Sequence, residues 1–175
     1  LVPGWEGNVS VKWLRRIKVG DEPWYFRSET ARYTDPMPEG KWRKFSFEME
    51  CKSVVTSPSG GMAIRPGTHE IEGFAWSGNG KIRTVDVTLD GGATWREARL
   101  EEPVFDKCLT RFRFRWDWAG GPATIASRAV DSTGYVQPTV QQIAKARAIT
   151  GFVQHHNGIF PWSISASGEV KNAIA

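Results

Sequence analysis

Gly73-Phe74-Ala75-Trp76-Ser77-Gly78-Asn79-Gly80, running on to Val85-Asp86-Val87-Thr88-Leu89-Asp90-Gly91-Gly92-Ala93-Thr94-Trp95, decides how the rest of the chain is read. Strict alternation sets Val85, Val87 and Leu89 on one face of a strand and Thr84, Asp86 and Thr88 on the other. Asp90-Gly91-Gly92 supplies residues that tolerate positive φ, as a tight hairpin demands. Trp95 then opens a returning strand and is expected to fill the core beside that turn. The whole stretch reads as two edges of a β-sandwich joined by a glycine-rich turn.

Outside it, punctuation recurs at roughly ten-residue spacing, as in Pro58-Ser59-Gly60-Gly61, Arg65-Pro66-Gly67 and Gly120-Gly121-Pro122. With nine tryptophans and eighteen glycines in 175 residues, this favours an all-β, immunoglobulin-like sandwich. Arg111-Phe112-Arg113-Phe114-Arg115-Trp116 could suggest an RNA-stacking strand. Its period of two is better met by a sandwich strand with the aromatics inward and the arginines outward. The net charge of +4 describes a mixed surface and gives no reason to expect nucleic acid. No apolar run approaches the roughly 18 residues that a membrane span needs.

Three zones follow. Residues 1–48 are irregular, with a short strand expected over residues 9–19, and hold too little apolar material for a core of their own. They read as the tail of a preceding domain, and the chain as part of a longer polypeptide. Residues 49–165 carry the sandwich, interrupted by a weak helical pattern over residues 139–150 and returning to strand character over 151–164. Residues 166–175 are small and polar and are expected to form a flexible tail.

Few chemical constellations stand out. Cys51 and Cys108 lie outside any metal-ligand spacing, and they pair only if the fold brings them together. His155 and His156 are adjacent, so on a strand they face opposite ways and do not share a metal. His69 is isolated. Read on these residues alone, the chain is a binding or interaction module with no metal site.

Several motifs nevertheless resemble the sulfite oxidase family of molybdopterin oxidoreductases. Gly73 to Gly80 with Val85 to Trp95 matches its G-x-A-W-S-G-x-G and V-D-V-[ST]-x-D-G-G-x-x-W pattern. Val2-Pro3-Gly4-Trp5-Glu6-Gly7-Asn8-Val9-Ser10-Val11-Lys12-Trp13-Leu14 is similar to the segment that ends its catalytic domain. Ala129-Val130-Asp131-Ser132-Thr133-Gly134-Tyr135-Val136-Gln137-Pro138 is similar to its A-V-D-x-x-G-x-x-Q-P strand and turn. The resemblance implies that Lys12, preceded by Ser10, contacts the molybdopterin cofactor. Counting 21 residues on from Lys12 reaches Tyr33, which takes the place of the family's active-site tyrosine. Val9 stands where many members have an arginine, and Thr150 stands where N-L-R-G-V carries the arginine of the anion pocket.

The phrasing around Lys12, Tyr33-Thr34-Asp35 and His155-His156-Asn157-Gly158 looks most like the branch that acts as sulfane dehydrogenase in bacterial sulfur oxidation. That likeness implies a periplasmic enzyme acting on sulfane sulfur borne by a carrier protein. Electrons would pass to a c-type cytochrome, and the sandwich would make a homodimer. It also implies that the molybdenum-ligating cysteine lies upstream, so the cofactor is not expected to be bound by these residues alone. Free sulfite is the alternative substrate, and a purely dimerising, non-catalytic module the second alternative.

Overall fold

The computed structural model describes residues 1–44, 46–147 and 156–173, the side chains of Ser28, Glu29, Arg32 and Lys44 excepted. Near the N-terminus lie α1 (Arg27–Arg32) and a small antiparallel pair, β1 (Thr34–Pro36) and β2 (Trp42–Lys44), in which Asp35 faces Arg43. The main body continues with β3 (Lys52–Ser57), β4 (Gly67–Trp76), β5 (Ile82–Thr88), β6 (Arg96–Glu97), β7 (Arg99–Leu100), β8 (Thr110–Trp118) and β9 (Ala123–Asp131). It closes with α2 (Val140–Arg147), β10 (Trp162–Ile164) and β11 (Val170–Asn172).

Two antiparallel sheets face each other, in strand order β3-β4-β8-β7 and β11-β10-β9-β5-β6. Their inner faces interdigitate through Val55, Ile71, Val85, Val87, Phe112, Ile125, Ala129, Ile164 and Val170. This is the expected all-β sandwich with immunoglobulin-like layering. The alternation read in β8 holds, with Phe112, Phe114, Trp116 and Trp118 buried. On its outer side, Arg113 is gathered by Glu70, Glu72 and Glu101, and Arg111 lies 5.1 Å from the centre of the Phe74 ring.

The deciding stretch differs from its sequence reading in two ways. The strands it supplies are not edges, because β4 lies between β3 and β8 and β5 lies between β9 and β6. The chain passes from one sheet to the other at residues 77–81, so the glycine-rich turn is a corner of the sandwich. The β5–β6 connection spans residues 89–95 rather than two residues. It is built on Asp90, which accepts hydrogen bonds from the Thr94 amide (2.9 Å), the Thr94 hydroxyl (2.6 Å) and the Thr88 hydroxyl (2.7 Å). Those bonds hold its carboxyl well below the usual carboxylate range. Trp95 does not enter the core. Its indole N–H donates to the Gly92 carbonyl, and Arg128 stacks on its ring at 4.4 Å.

Three further expectations are corrected. Residues 9–19 form no strand: a 3-10 turn at Gly7–Val9 leads into irregular chain on which Val11, Trp13, Leu14, Ile17 and Val19 are exposed. A strand without ladder partners has nothing to hold it. Strand character over 151–164 is confined, among the described residues, to β10. The supposed flexible tail instead supplies β11, whose Val170 is buried and pairs opposite Ile164. The two cysteines are free, Cys51 buried and Cys108 exposed. The short helix does form. Thr139 and Gln142 cap it reciprocally, the Gln142 amide donating to the Thr139 hydroxyl (3.2 Å) and the Thr139 amide to Gln142 Oε1 (2.7 Å).

Candidate functional site

Motifs far apart in sequence meet at one end of the sandwich. Gly4 and Gly78 cross so closely that a Cβ on Gly78 would sit 2.1 Å from the Gly4 carbonyl oxygen and 2.8 Å from the Met49 backbone. The crossing is tied by Met49 N–H to the Gly4 carbonyl (2.9 Å) and Gly78 N–H to the Met49 carbonyl (2.6 Å). Trp5 stacks on Phe47 at 5.1 Å. Asp131 accepts the Ser77 hydroxyl (2.7 Å) and the Thr133 hydroxyl and amide. Those bonds outweigh burial, which alone would raise its pKa, and hold the carboxyl down. Buried Gln137 accepts from the Ser53 amide and hydroxyl and the Ala129 amide, and donates to the Ser53 and Gly158 carbonyls. The three motifs are therefore one scaffold.

That scaffold frames a cleft of about 360 Å³ lined by Glu6, Tyr33, Glu50, Lys52, Trp76 and Asn157, among others. Tyr33 is half-buried in its wall. Lys12 and Ser10 do not line it: Lys12 is exposed, and the Ser10 hydroxyl accepts the Val2 N–H at 3.2 Å. Thr150 and His155 lie outside the described residues. Arg147, the nearest cation to the missing arginine in sequence, is buried and grips Glu50, with Asp35 at 3.7 Å. Arg43 completes the cluster, 2.9 Å from Asp35 and 3.4 Å from Glu50. Burial, with Asp35 adding to it, pushes Glu6 up to about 7.

The cleft also contains residues that motif reading missed. The Lys52 ammonium donates to the His156 carbonyl at 2.6 Å and lies 5.1 Å from the Phe160 ring centre. Burial holds its pKa below the ordinary lysine value. His156 is held low by burial and then by Lys52, and its ring accepts the Gly158 N–H at 3.3 Å. Asn157 donates to the Cys51 carbonyl and the Tyr135 hydroxyl, while its own carbonyl oxygen is buried without a hydrogen-bond partner. Strand alternation carried a usable signal: Cys51, Ser53 and Val55 point inward, so Glu50 and Lys52 share the other face.

Neither cysteine suits a molybdenum thiolate. Burial pushes the Cys51 thiol up to about 12. Cys108 belongs to no cluster of three potential metal ligands among the described residues.

Comparison with known proteins fits this scaffold of interlocked motifs. The family model for the Mo-co oxidoreductase dimerisation domain matches residues 43–160. The chain belongs to the sulfite oxidase family of molybdenum-cofactor oxidoreductases. Sulfite oxidase of Gallus gallus is 36% identical over 172 residues, covering 89% of this chain and 37% of that protein. The mitochondrial sulfite oxidase of Homo sapiens is 33% identical, with 91% and 32% covered. The solved sulfane dehydrogenase SoxCD from Paracoccus pantotrophus superposes with a TM-score of 0.93 at 49% identity, over 98% of this chain and 44% of that one. The chain thus spans about a third of the curated family members named here. Among the described residues, no helix is long and apolar enough to cross a membrane.

Proposed function

We propose that the chain is the C-terminal part of a molybdenum-cofactor oxidoreductase that oxidises sulfane sulfur held on a carrier protein. It would pass electrons to a c-type cytochrome in the periplasm. In this reading residues 1–48 end the catalytic domain and residues 49–165 form the dimerising sandwich, which β11 extends. The observation that carries it is the 49% identity to a sulfane dehydrogenase across nearly the whole chain, at a TM-score of 0.93. The cofactor, when bound, supplies oxygen transfer from water to sulfur.

Within that chemistry Tyr33 holds or moves a proton at its phenol oxygen, and the cleft orients the sulfur-bearing group beside it. Lys12 and Ser10 meet the organic part of the cofactor. Exposure of the Lys12 ammonium suits a contact with an anionic group on another part of a longer polypeptide. The cysteine on molybdenum comes from elsewhere than Cys51 or Cys108. Free sulfite is the second reading, favoured by the 36% identity to a sulfite oxidase. Turnover of the full-length enzyme decides between them: oxidation of carrier-bound sulfane with cytochrome c, and poor use of free sulfite, supports the first. The reverse preference supports the second. A third reading, a non-catalytic dimerising module when isolated, is met if these residues by themselves dimerise and turn over neither.

A further inference from the structure

Charges around the cleft do not cancel. Asp35 and Glu50 are matched by Arg43 and Arg147. Glu6 holds its proton up to about 7, and burial, then Lys52, disfavours the charged form of His156. Lys52 is left over. Among the described residues no carboxylate lies within ion-pair distance of its ammonium, which has one carbonyl and one aromatic face for company. Residues 148–155 include no acidic side chain. A half-buried ammonium without a counter-charge is costly unless an anion arrives to share the site. Register places Lys52 directly opposite Trp76, another wall of the same cleft, and Tyr33 stands in it too.

We propose that Lys52 is the anion-receiving group of the Tyr33 cleft, positioning a small tetrahedral oxyanion there with Tyr33 and Trp76 as the other walls. The oxyanion is either the oxidised-sulfur group of substrate or product, or a phosphate ester. This deepens the sulfur-oxidation reading and rests on it for the substrate source. A lysine ammonium donates to a single oxyanion oxygen and tolerates a bulky substituent on the far side, which a guanidinium fork restricts.

The test is an NMR titration of this chain at low ionic strength with sulfate, sulfite and a phosphate monoester, following the Asn157 side-chain amide and the Gly158 and Lys52 signals. Saturable shifts centred on these residues are expected. Lys52→Gln, which keeps a donor for the His156 carbonyl, should weaken them by about tenfold or more, and Lys52→Arg should stay within about threefold of wild type. Preference for sulfur oxyanions assigns the group to substrate, and preference for the phosphate ester to the cofactor; both support an oxyanion site at Lys52. Absence of shifts, shifts centred elsewhere, or affinity unchanged in a folded Lys52→Gln protein overturns it. If that variant does not fold, the wild-type shift map still decides. Because no turnover is measured, loss of this site is distinguishable from failure of the Tyr33 assignment, which full-length kinetics tests.

Discussion

Glu6 shows how much a single side chain's setting can matter. Its ordinary pKa of 4.5 is raised to about 7 by burial, then by Asp35 and, more weakly, Glu50, while Ser46 and Arg43 oppose the rise. Below about 4.5 both folded and unfolded chains hold the proton, and the group costs nothing. Between 4.5 and about 7 the unfolded chain is ionised and the folded one is not, so stability falls as pH rises; above about 7 the penalty is complete. Thermal melts should therefore show a wild-type midpoint that drops across that window relative to Glu6→Gln. Parallel pH profiles for the two proteins would contradict the assignment. Gln137 is as sensitive to its setting. Alanine there strands the Ser53 and Ala129 amides and two carbonyls, which should destabilise the domain by roughly 2–4 kcal/mol in denaturant titrations. In the full-length enzyme, Tyr33→Phe should lower turnover on the order of a hundredfold with molybdenum content unchanged. Unaltered turnover would reduce Tyr33 to a packing residue of the cleft wall.

At the level of elements, what was legible followed periodicity. The alternation of β8 and β5, and the helical spacing that starts at Thr139, are local signals that tertiary packing did not overrule. What failed was long-range. Nothing in residues 165–173 announces that Val170 closes a sheet against β10, because this three-residue strand is also held by backbone hydrogen bonds to Gly61 and Met62, far away in sequence, and not by its own composition. Trp95 was misplaced for the same reason: Arg128, which covers it, comes from β9. The cleft was half legible: Tyr33, singled out by register, lines it, whereas Glu6 and Asn157 stood inside quoted motifs with no role of their own and Lys52 lay outside any motif. Val170→Asp should accordingly cost several kcal/mol, about 3 or more, by burying an unpaired carboxylate, whereas a mobile tail would tolerate it. Gly78→Ala tests the crossing with Gly4: the intruding methyl should release the N-terminal segment, read as faster amide exchange at Met49.

For the molecule as a whole, the sandwich is self-sufficient, with one contiguous core between two sheets. The N-terminal segment is not, since it leans on that sandwich through the Gly4–Gly78 crossing and the Asp35–Arg43–Glu50–Arg147 cluster. This arrangement is what a dimerisation domain that also walls a cleft requires: a rigid body beneath, and a short segment held to its surface. As a dimerisation domain, this body is expected to associate with a second copy of itself. Sedimentation equilibrium of the chain over a range of concentrations tests it most directly. Reversible dimer formation, with a mass twice that of the 19.6 kDa chain, is expected; a strict monomer at the highest concentrations would contradict it.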